Sequence, residues 1–434
     1  MPDGVVSCGL NADGQLGDGT FNSSFNASVL LDDVAANVTT VYAGPAARTA
    51  FFATADGLTY GVGLNDRGQL GSGMNANLSS VPVEVRFQSD QMGGNISVSD
   101  THTLAATTGK ARPPPEPAPP PESSDFLFWG ASESIGEGTP DGDNDVMVPT
   151  LADDFVVSHV SAGSNYTLVI LANKTAAVAG YIESLTDYTG YFGVDSLELD
   201  EGSNPFQLVT TVENKAGVTV SAPDFAAVVA GAENVNEGTA GKMHSLFIDV
   251  DGHVYSAGYN NKGQLCLGDE EVRAIPMQIE LPDDDTAVSA AVGAEFTLIV
   301  GSSGKVYGCG SNELGQLGLG EDVDTQASPE EIADLSGVTG IAAGLDFALV
   351  QTEEGLFAMG NNEFGACRFQ ISRLSFYLSV DTPLSFPVPP FRQANCVSIP
   401  RKVKRQSPRT SSTNPFFPSR PARSRPTCCW KKDL

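Results

Sequence analysis

The sequence predicts an all-β protein, a β-propeller of seven blades. Three observations carry this. A nine-residue pattern, Gly-x-Asn-x-x-Gly-Gln-Leu-Gly, recurs along the chain. Its basal period is near 50 residues, enough for four short strands and their connections. Between the copies lie short apolar runs broken by Asp-Gly-type turns, and no amphipathic helical period of useful length interrupts them.

Clear copies of the pattern run from Gly9 to Gly17, Gly63 to Gly71, Gly258 to Cys266 and Gly310 to Gly318. A weaker copy begins at Gly360, and degraded ones begin at Gly130 and Gly180. The anchor glycines Gly9, Gly63, Gly130, Gly180, Gly258, Gly310 and Gly360 are spaced by 54, 67, 50, 78, 52 and 50 residues, so two intervals carry insertions. Glycine is expected here for backbone shapes closed to other residues, and the Asn for bonding its own backbone to close the turn. The leucine reads as an apolar plug against a neighbouring unit. These are structural roles.

A second motif, [Ala/Val]-Gly-x-x-[His/aromatic]-[Ser/Thr/Ala]-Leu, precedes each anchor except the first. Its cleanest copies start at Ala162, Ala240, Val292 and Ala343, and Val98 starts one with Ser99 in place of Gly. The stretch after Ala43-Gly44 is a looser copy. A hairpin is expected between the two motifs. His244 to Val250 is rich in apolar and β-favouring residues, Asp251-Gly252 is a two-residue turn signal, and His253 to Ala257 returns. The same layout recurs at Asp56-Gly57, Ser303-Gly304 and Glu354-Gly355. Pro82 and Pro276, each just ahead of a short apolar run, suit edge strands.

Three stretches depart from the repeat. Residues 111–122 are a Pro-rich run that cannot join a strand ladder and read as an exposed polyproline loop. Residues 183–238 form an acidic insertion, either a long loop or a divergent blade. After Gly365 the pattern stops. The repeat body is therefore expected over residues 1–367, its last blade incomplete, followed by a basic low-complexity tail over 368–434. That tail is either disordered, with an import signal at Arg401, Lys402, Lys404 and Arg405, or foreign to the repeat protein.

Charge divides the chain at the same point. The formal net charge is −29, yet residues 368–434 hold 13 Lys+Arg against Asp381 and Asp433. Residues 1–367 are left with 11 basic and 51 acidic groups. A body this acidic repels nucleic-acid and membrane phosphates and suits solubility or a basic protein surface. No apolar run is long enough to span a bilayer, and no signal peptide is expected at the N-terminus. A cytoplasmic or nuclear protein is the expectation. The seven cysteines form no CxxC pair, and Cys8, Cys266 and Cys309 read as small buried residues of a reducing compartment.

No catalytic constellation stands out, and nothing asks for a cofactor or a metal. Asp141-Gly-Asp-Asn-Asp145 resembles the start of a calcium loop, but Ala152 stands where the closing Glu belongs, so a solvated acidic turn is the better reading. His102 and His244 occupy a repeat position that holds Tyr166, Phe296 and Phe347 elsewhere, which favours packing.

Together, the Gly-x-Asn-x-x-Gly-Gln-Leu-Gly pattern, the upstream Ala-Gly-x-x-His-Ser-Leu pattern and the period near 50 resemble the regulator of chromosome condensation repeat, over roughly residues 5–367. The resemblance implies a seven-bladed propeller whose repeat frame is offset from the blade, with N-terminal strands helping to complete the last blade. It also implies protein partners. Founding members of that family are exchange factors for the small GTPase Ran, and acidic and His residues near the second motif act on the GTPase. The matching positions here are His102, His244, Glu295 and Asp346. Most units lack the Asp-His pair of those exchange factors, and no nucleotide-displacing wedge is recognisable. A protein-binding scaffold is therefore the first expectation, and nucleotide exchange on a Ran-like GTPase the alternative.

Overall fold

The computed structural model describes residues 5–29, 38–74, 76–87, 95–107, 124–136, 145–182, 190–194, 199, 202–231, 243–320, 322–333, 335, 337–353, 355–362 and 427–428. The Pro-rich run 111–122, residues 141–144 of the calcium-like stretch and the import signal (Arg401, Lys402, Lys404, Arg405) lie outside them. Among the described residues there is no α-helix, only β-sheet, antiparallel but for one pairing, and two short 3₁₀ turns.

Strand β1 (Val6–Gly9) pairs with β2 (Ser24–Val29) as a two-stranded sheet. Six four-stranded units follow. Unit 1 is β3 (Val38–Tyr42), β4 (Thr49–Thr54), β5 (Thr59–Leu64) and β6 (Leu78–Glu84). Unit 2 is β7 (Asn95–Val98), β8 (His102–Ala106), β9 (Ser124–Gly130) and the start of β10 (Val146–Ala162). The end of β10 is also the first strand of unit 3, with β11 (Tyr166–Leu171), β12 (Ala176–Ile182) and β13 (Gly202–Leu208). This sharing fuses the two units into one seven-stranded sheet. Next comes a hairpin, β14 (Thr211–Glu213) and β15 (Thr219–Ser221). Unit 4 is β16 (Phe225–Ala230), β17 (His244–Asp249), β18 (Val254–Gly258) and β19 (Arg273–Gln278). Unit 5 is β20 (Ala287–Val292), β21 (Phe296–Gly301), β22 (Val306–Ser311) and β23 (Thr325–Glu331). Unit 6 is β24 (Val338–Ala343), β25 (Phe347–Thr352), β26 (Gly355–Asn361) and β27 (Thr427–Cys428).

Every unit is an up-and-down meander, and its irregularities repeat. A bulge interrupts the first strand pair at Val38/Thr40, Val157/His159, Phe225/Ala227, Ala287/Ser289 and Val338/Gly340. The anchor glycine sits at a second bulge against the outer strand in units 1, 3, 4 and 5. Gly258 shows why it must be glycine: its φ is +116°, and a Cβ there would lie 2.5 Å from the Met243 carbonyl oxygen. Outer strands carry Pro82, Pro149, Pro205, Pro276 and Pro329, one in each of units 1 to 5, where a missing N–H is tolerated.

Neighbouring units pack first strand against first strand. The Ala162 N–H donates to Ser97 Oγ and the Ala230 N–H to Ser161 Oγ, both at 2.9 Å. The core lies in the seams between sheets, as clusters drawn from two consecutive units; Leu70, Leu265 and Leu317 are the buried plugs, at 1%, 0% and 0% exposure. The N-terminal sheet precedes unit 1 in this order: the Gly19 N–H donates to Ser80 O of β6 at 2.9 Å, as Gly268 N–H of unit 4 does to Ala327 O of unit 5.

Four sequence expectations need correcting. In unit 4 the first strand ends at Ala230-Gly231, not at Ala240-Gly241: Ala230 pairs with Ser245, and the Gly231 N–H donates to His244 O at 2.9 Å. An insertion between these partners mimics the motif. Pro276 does not lie on a sheet edge, because β14 adds beside β19 in parallel through Glu213 and Met277. The tail does contribute a strand, since Thr427 and Cys428 pair with Asn361 and Gly360. Backbone pairing needs no side-chain pattern, so sequence periodicity could not reveal it. Finally, Cys266 and Cys309 are joined as a disulfide, with their Cα atoms 5.4 Å apart. Residues 183–238, read as one insertion, supply β13, the β14–β15 hairpin and β16.

Candidate functional site

In each unit the turn joining the first two strands and the loop joining the last two emerge on the same face, here the first face. The repeat's polar residues build that face from below. Oδ1 of Asn11, Asn65, Asn260 and Asn312 accepts the N–H of the leucine five residues on, at 2.9 Å in all four copies. The Nδ2 groups donate to carbonyls of the returning chain, Asn260 to Asp269 O and Glu271 O at 3.0 Å, Asn312 to Gly320 O and Val323 O at 3.0 and 2.7 Å. Oε1 of Gln15, Gln69, Gln264 and Gln316 accepts the N–H two residues back, at 2.9 to 3.0 Å. Motif side chains are thus spent internally, and the residues between them face outward from a fixed loop.

The seams consume the histidines. His102 Nε2 meets Thr167 Oγ1 of unit 3 at 3.0 Å, and its Nδ1 meets Ser99 Oγ at 2.9 Å. Thr297 Oγ1 of unit 5 donates to Gln264 O at 2.8 Å, so the same oxygen accepts from His244 Nε2 at 2.8 Å. Among the described residues His244 Nδ1 finds no hydrogen-bond partner. Both imidazoles are buried, and burial pushes each pKa down to about 3, so both are neutral at pH 7. Tyr166 makes the same crossing between them: its hydroxyl meets Ser245 Oγ of unit 4 at 2.8 Å and accepts the Gly231 N–H at 2.8 Å. The two histidines therefore touch the next unit and present no surface on the first face.

Glu295 and Asp346 are placed differently. They occupy equivalent positions in the first-face turns of units 5 and 6, both half-buried. The turns are tied together by the Ala294 N–H donating to Leu345 O at 3.0 Å. Each is also anchored to its own third strand, through Ser311 N–H to Glu295 O and Asn361 N–H to Asp346 O, both 2.8 Å. Of the four sequence candidates, the fold brings these two into adjacent turns and leaves His102 and His244 in separate seams.

Ion pairs bridge neighbouring loops of this face. Arg67 of unit 1 reaches Glu133 of unit 2 at 2.7 Å and Asp145 at 2.5 Å, so the described end of the calcium-like stretch is spent on a guanidinium. Lys262 of unit 4 pairs with Glu313 of unit 5 at 2.5 Å, and Arg48 of unit 1 pairs with Asp13 of the N-terminal sheet at 2.7 Å. Among the described residues no three His, Cys, Asp or Glu side chains gather as metal ligands. Sequence reading missed one loop. Gly190-Tyr-Phe-Gly193 stands where other units have Gly-Gln-Leu-Gly, with the same Gly193 N–H to Gly190 O bond at 2.9 Å, and Tyr191 O accepts Ser245 Oγ as Gln264 O accepts Thr297 Oγ1. Only its glycine spacing could have marked it.

The profile of the Regulator of chromosome condensation (RCC1) repeat matches residues 56–106, 251–300 and 303–351, and a second profile of the same description matches 287–316. Each of the three longer matches runs from the third strand of one unit to the second strand of the next, so the repeat frame is offset from the sheet. The chain is 39% identical over 124 residues to the RCC2 homologue of Xenopus laevis, a match covering 28% of this chain and 24% of that protein. It thus spans about a quarter of the length of that relative. It is 26% identical over 312 residues to the human protein named Regulator of chromosome condensation, covering 70% and 68% of the two chains. Among solved structures, Prp20p of Saccharomyces cerevisiae, studied for its binding to Gsp1p and histones, superposes with a TM-score of 0.64 at 16% identity, over 85% of this chain and 83% of that one. The chain carries RCC1 repeats and has the β-propeller fold of such proteins.

Proposed function

We propose that this RCC1-repeat propeller is a scaffold for protein partners, and that the first-face turns of units 5 and 6 are part of its docking surface. The observation that carries the reading is the pair of adjacent turns presenting Glu295 and Asp346 from a hydrogen-bonded frame. Such a surface loses little order on binding, because its loops are already held. The acidic body, with 51 acidic against 11 basic groups over residues 1–367, favours a basic partner. Prp20p, similar in fold, binds Gsp1p and histones according to its structural study, which makes Gsp1p and core histones the first partners to test.

Binding of the purified chain to core histones and to Gsp1p is measured with and without Glu295→Ala plus Asp346→Ala. A loss of about tenfold in affinity for either partner is expected from removing two first-face charges. Unchanged binding to both would remove these turns from the docking surface. Exchange activity is the second reading, supported by the resemblance of the repeat to that of the family's exchange factors and by the 26% identity to the human Regulator of chromosome condensation. It predicts accelerated nucleotide release from a small GTPase, and a panel showing no acceleration would end it while leaving the scaffold standing. A cytoplasmic or nuclear location belongs to the same proposal.

A further inference from the structure

The repeat's loops lie against the next unit by a rule of size, and one seam replaces that rule with sulfur. In unit 1 the loop ends on Gly71 at φ +62°, and a Cβ there would come within 2.9 Å of the Trp129 indole nitrogen of unit 2. In unit 5 it ends on Gly318 at φ +65°, and a Cβ would come within 2.7 Å of Met359 Sδ of unit 6. A residue without a side chain thus faces a large one that stands just before an anchor glycine. In unit 4 the same loop position is Cys266, at φ +60°, and it is bonded to Cys309 of unit 5, again just before an anchor glycine. That backbone conformation is disfavoured for a residue with a Cβ, and the sulfur bond holds Cys266 in it.

The two sulfurs have different surroundings. Cys309 is fully buried, and its Sγ lies 3.5 Å from Gln264 O. The equivalent carbonyl of unit 1, Gln69 O, accepts the Trp129 Nε1–H at 2.7 Å. A bridged sulfur has no proton to donate, so Gln264 O receives a hydrogen bond from Cys309 only when Cys309 is a thiol. The seam therefore has an acceptor in place for the reduced form. Cys266 stands on the solvent side. It forms part of the wall of a cavity of about 490 Å³, whose lining among the described residues does not include Cys309. Glu280, Asp283 and Asp284 line the same cavity with Lys215, and Lys215 reaches Glu280 at 3.4 Å and Asp284 at 3.8 Å.

We propose that the Cys266–Cys309 bridge is a reversible thiol–disulfide site, opened at Cys266 by a small-molecule thiol that enters this cavity. The thiol, as its thiolate, attacks Cys266 Sγ. The S–S bond breaks, and the Cys309 sulfur leaves with the bonding electron pair and takes up a proton. The products are a mixed disulfide on Cys266 and a thiol on Cys309 that donates to Gln264 O. A second molecule of the thiol releases the first as the small-molecule disulfide and leaves Cys266 a thiol. The protein is reduced and the two small thiols are oxidised. Opening cuts the covalent tie between the unit 4 loop and β22, and it leaves the other bonds of the seam, such as Thr297 Oγ1 to Gln264 O, in place. This site is independent of the first-face turns of units 5 and 6.

The oxidised full chain is incubated without denaturant with cysteamine or with glutathione, quenched by alkylation, and mapped by digestion and mass spectrometry. The first adduct is expected on Cys266, with Cys309 as the newly alkylated thiol. Its rate should rise with thiol concentration and exceed the rate of global unfolding by at least about tenfold, because only the seam has to open. At low salt and matched thiolate concentration, the acidic rim should make the cationic cysteamine react at least about threefold faster than the anionic glutathione. Cys266→Gly restores the residue of the other loops and leaves Cys309 a buried thiol. It should take up cystamine at Cys309 at least about tenfold more slowly than Cys309→Ser takes it up at Cys266. If Cys309→Ser fails to fold, the wild-type map and rates decide. Reduction no faster than global unfolding, a first adduct on Cys309, equal rates for the two thiols, or equal cystamine uptake by the two variants overturns the proposal.

Discussion

Three seams match one residue of a unit to one of the next, and these pairs are chemically complementary. His102 meets Thr167, Tyr166 meets Ser245 and His244 meets Thr297, each polar tip finding a hydroxyl. Phe296 has no polar tip, and the residue at the hydroxyl position of unit 6 is Ala348, buried in the same cluster. The interchange of His, Tyr and Phe noticed in the sequence is thus half of a two-residue code. Buried neutral histidines carry a cost in acid. Folded-state pKa values of about 3 for His102 and His244 and about 4 for His159, against 6.5 for a free imidazole, mean that the unfolded chain binds more protons between these values. Their contribution is therefore whole above about pH 6.5 and lost as pH falls toward the folded values. Between pH 6.5 and 5 the loss is about 2 kcal/mol per buried histidine. The melting temperature should fall from pH 7 to 5, and His102→Gln or His244→Gln should flatten that slope. A slope untouched by both substitutions would show that these imidazoles are not held neutral.

At the scale of elements, strands within a unit were legible and their partners across units were not. Turn glycines, alternating apolar residues and outer-strand prolines are local signals, which is why the hairpin around Asp251-Gly252 stands where the sequence put it. The displaced copy at Ala240-Gly241 misled because a motif of two small residues recurs by composition alone. The Cys266–Cys309 bridge was illegible for a different reason. It links residues 43 positions apart that meet only when one unit's loop is seated on the next unit's third strand. Closing a loop of that length contributes up to about 4 kcal/mol in the chain-entropy account. Reduction should therefore lower the denaturant midpoint of the wild type while leaving Cys309→Ala unchanged. Identical midpoints with and without reductant would show that the bridge adds no stability.

For the whole molecule, the consequence of seam-by-seam packing is that stability is a sum of units and interfaces. Units 2 to 5 each have a complete unit on both sides. The N-terminal sheet has two strands and is held through Gly19, through Arg48–Asp13 and by its loop against Ser80. Amides of β1 and β2 should therefore exchange with solvent at a lower opening free energy than those of β17 and β21, read by hydrogen exchange and mass spectrometry. Equal protection would mean that the N-terminal sheet opens only with the whole protein. The described residues form six units and one two-stranded sheet.

The sequence by itself determined the all-β class, the repeat and the internal use of its motifs. A glycine at positive φ and an Asn clamping a leucine five residues on are interactions within one loop, and short-range patterns encode them. Tertiary structure decided which unit each insertion joins and where the cysteines pair. Those outcomes depend on side chains from two units meeting across roughly 50 residues of chain, a distance over which volume complementarity leaves no periodic trace. His102 and His244 were therefore found as repeat positions, but only the folded chain turned them inward.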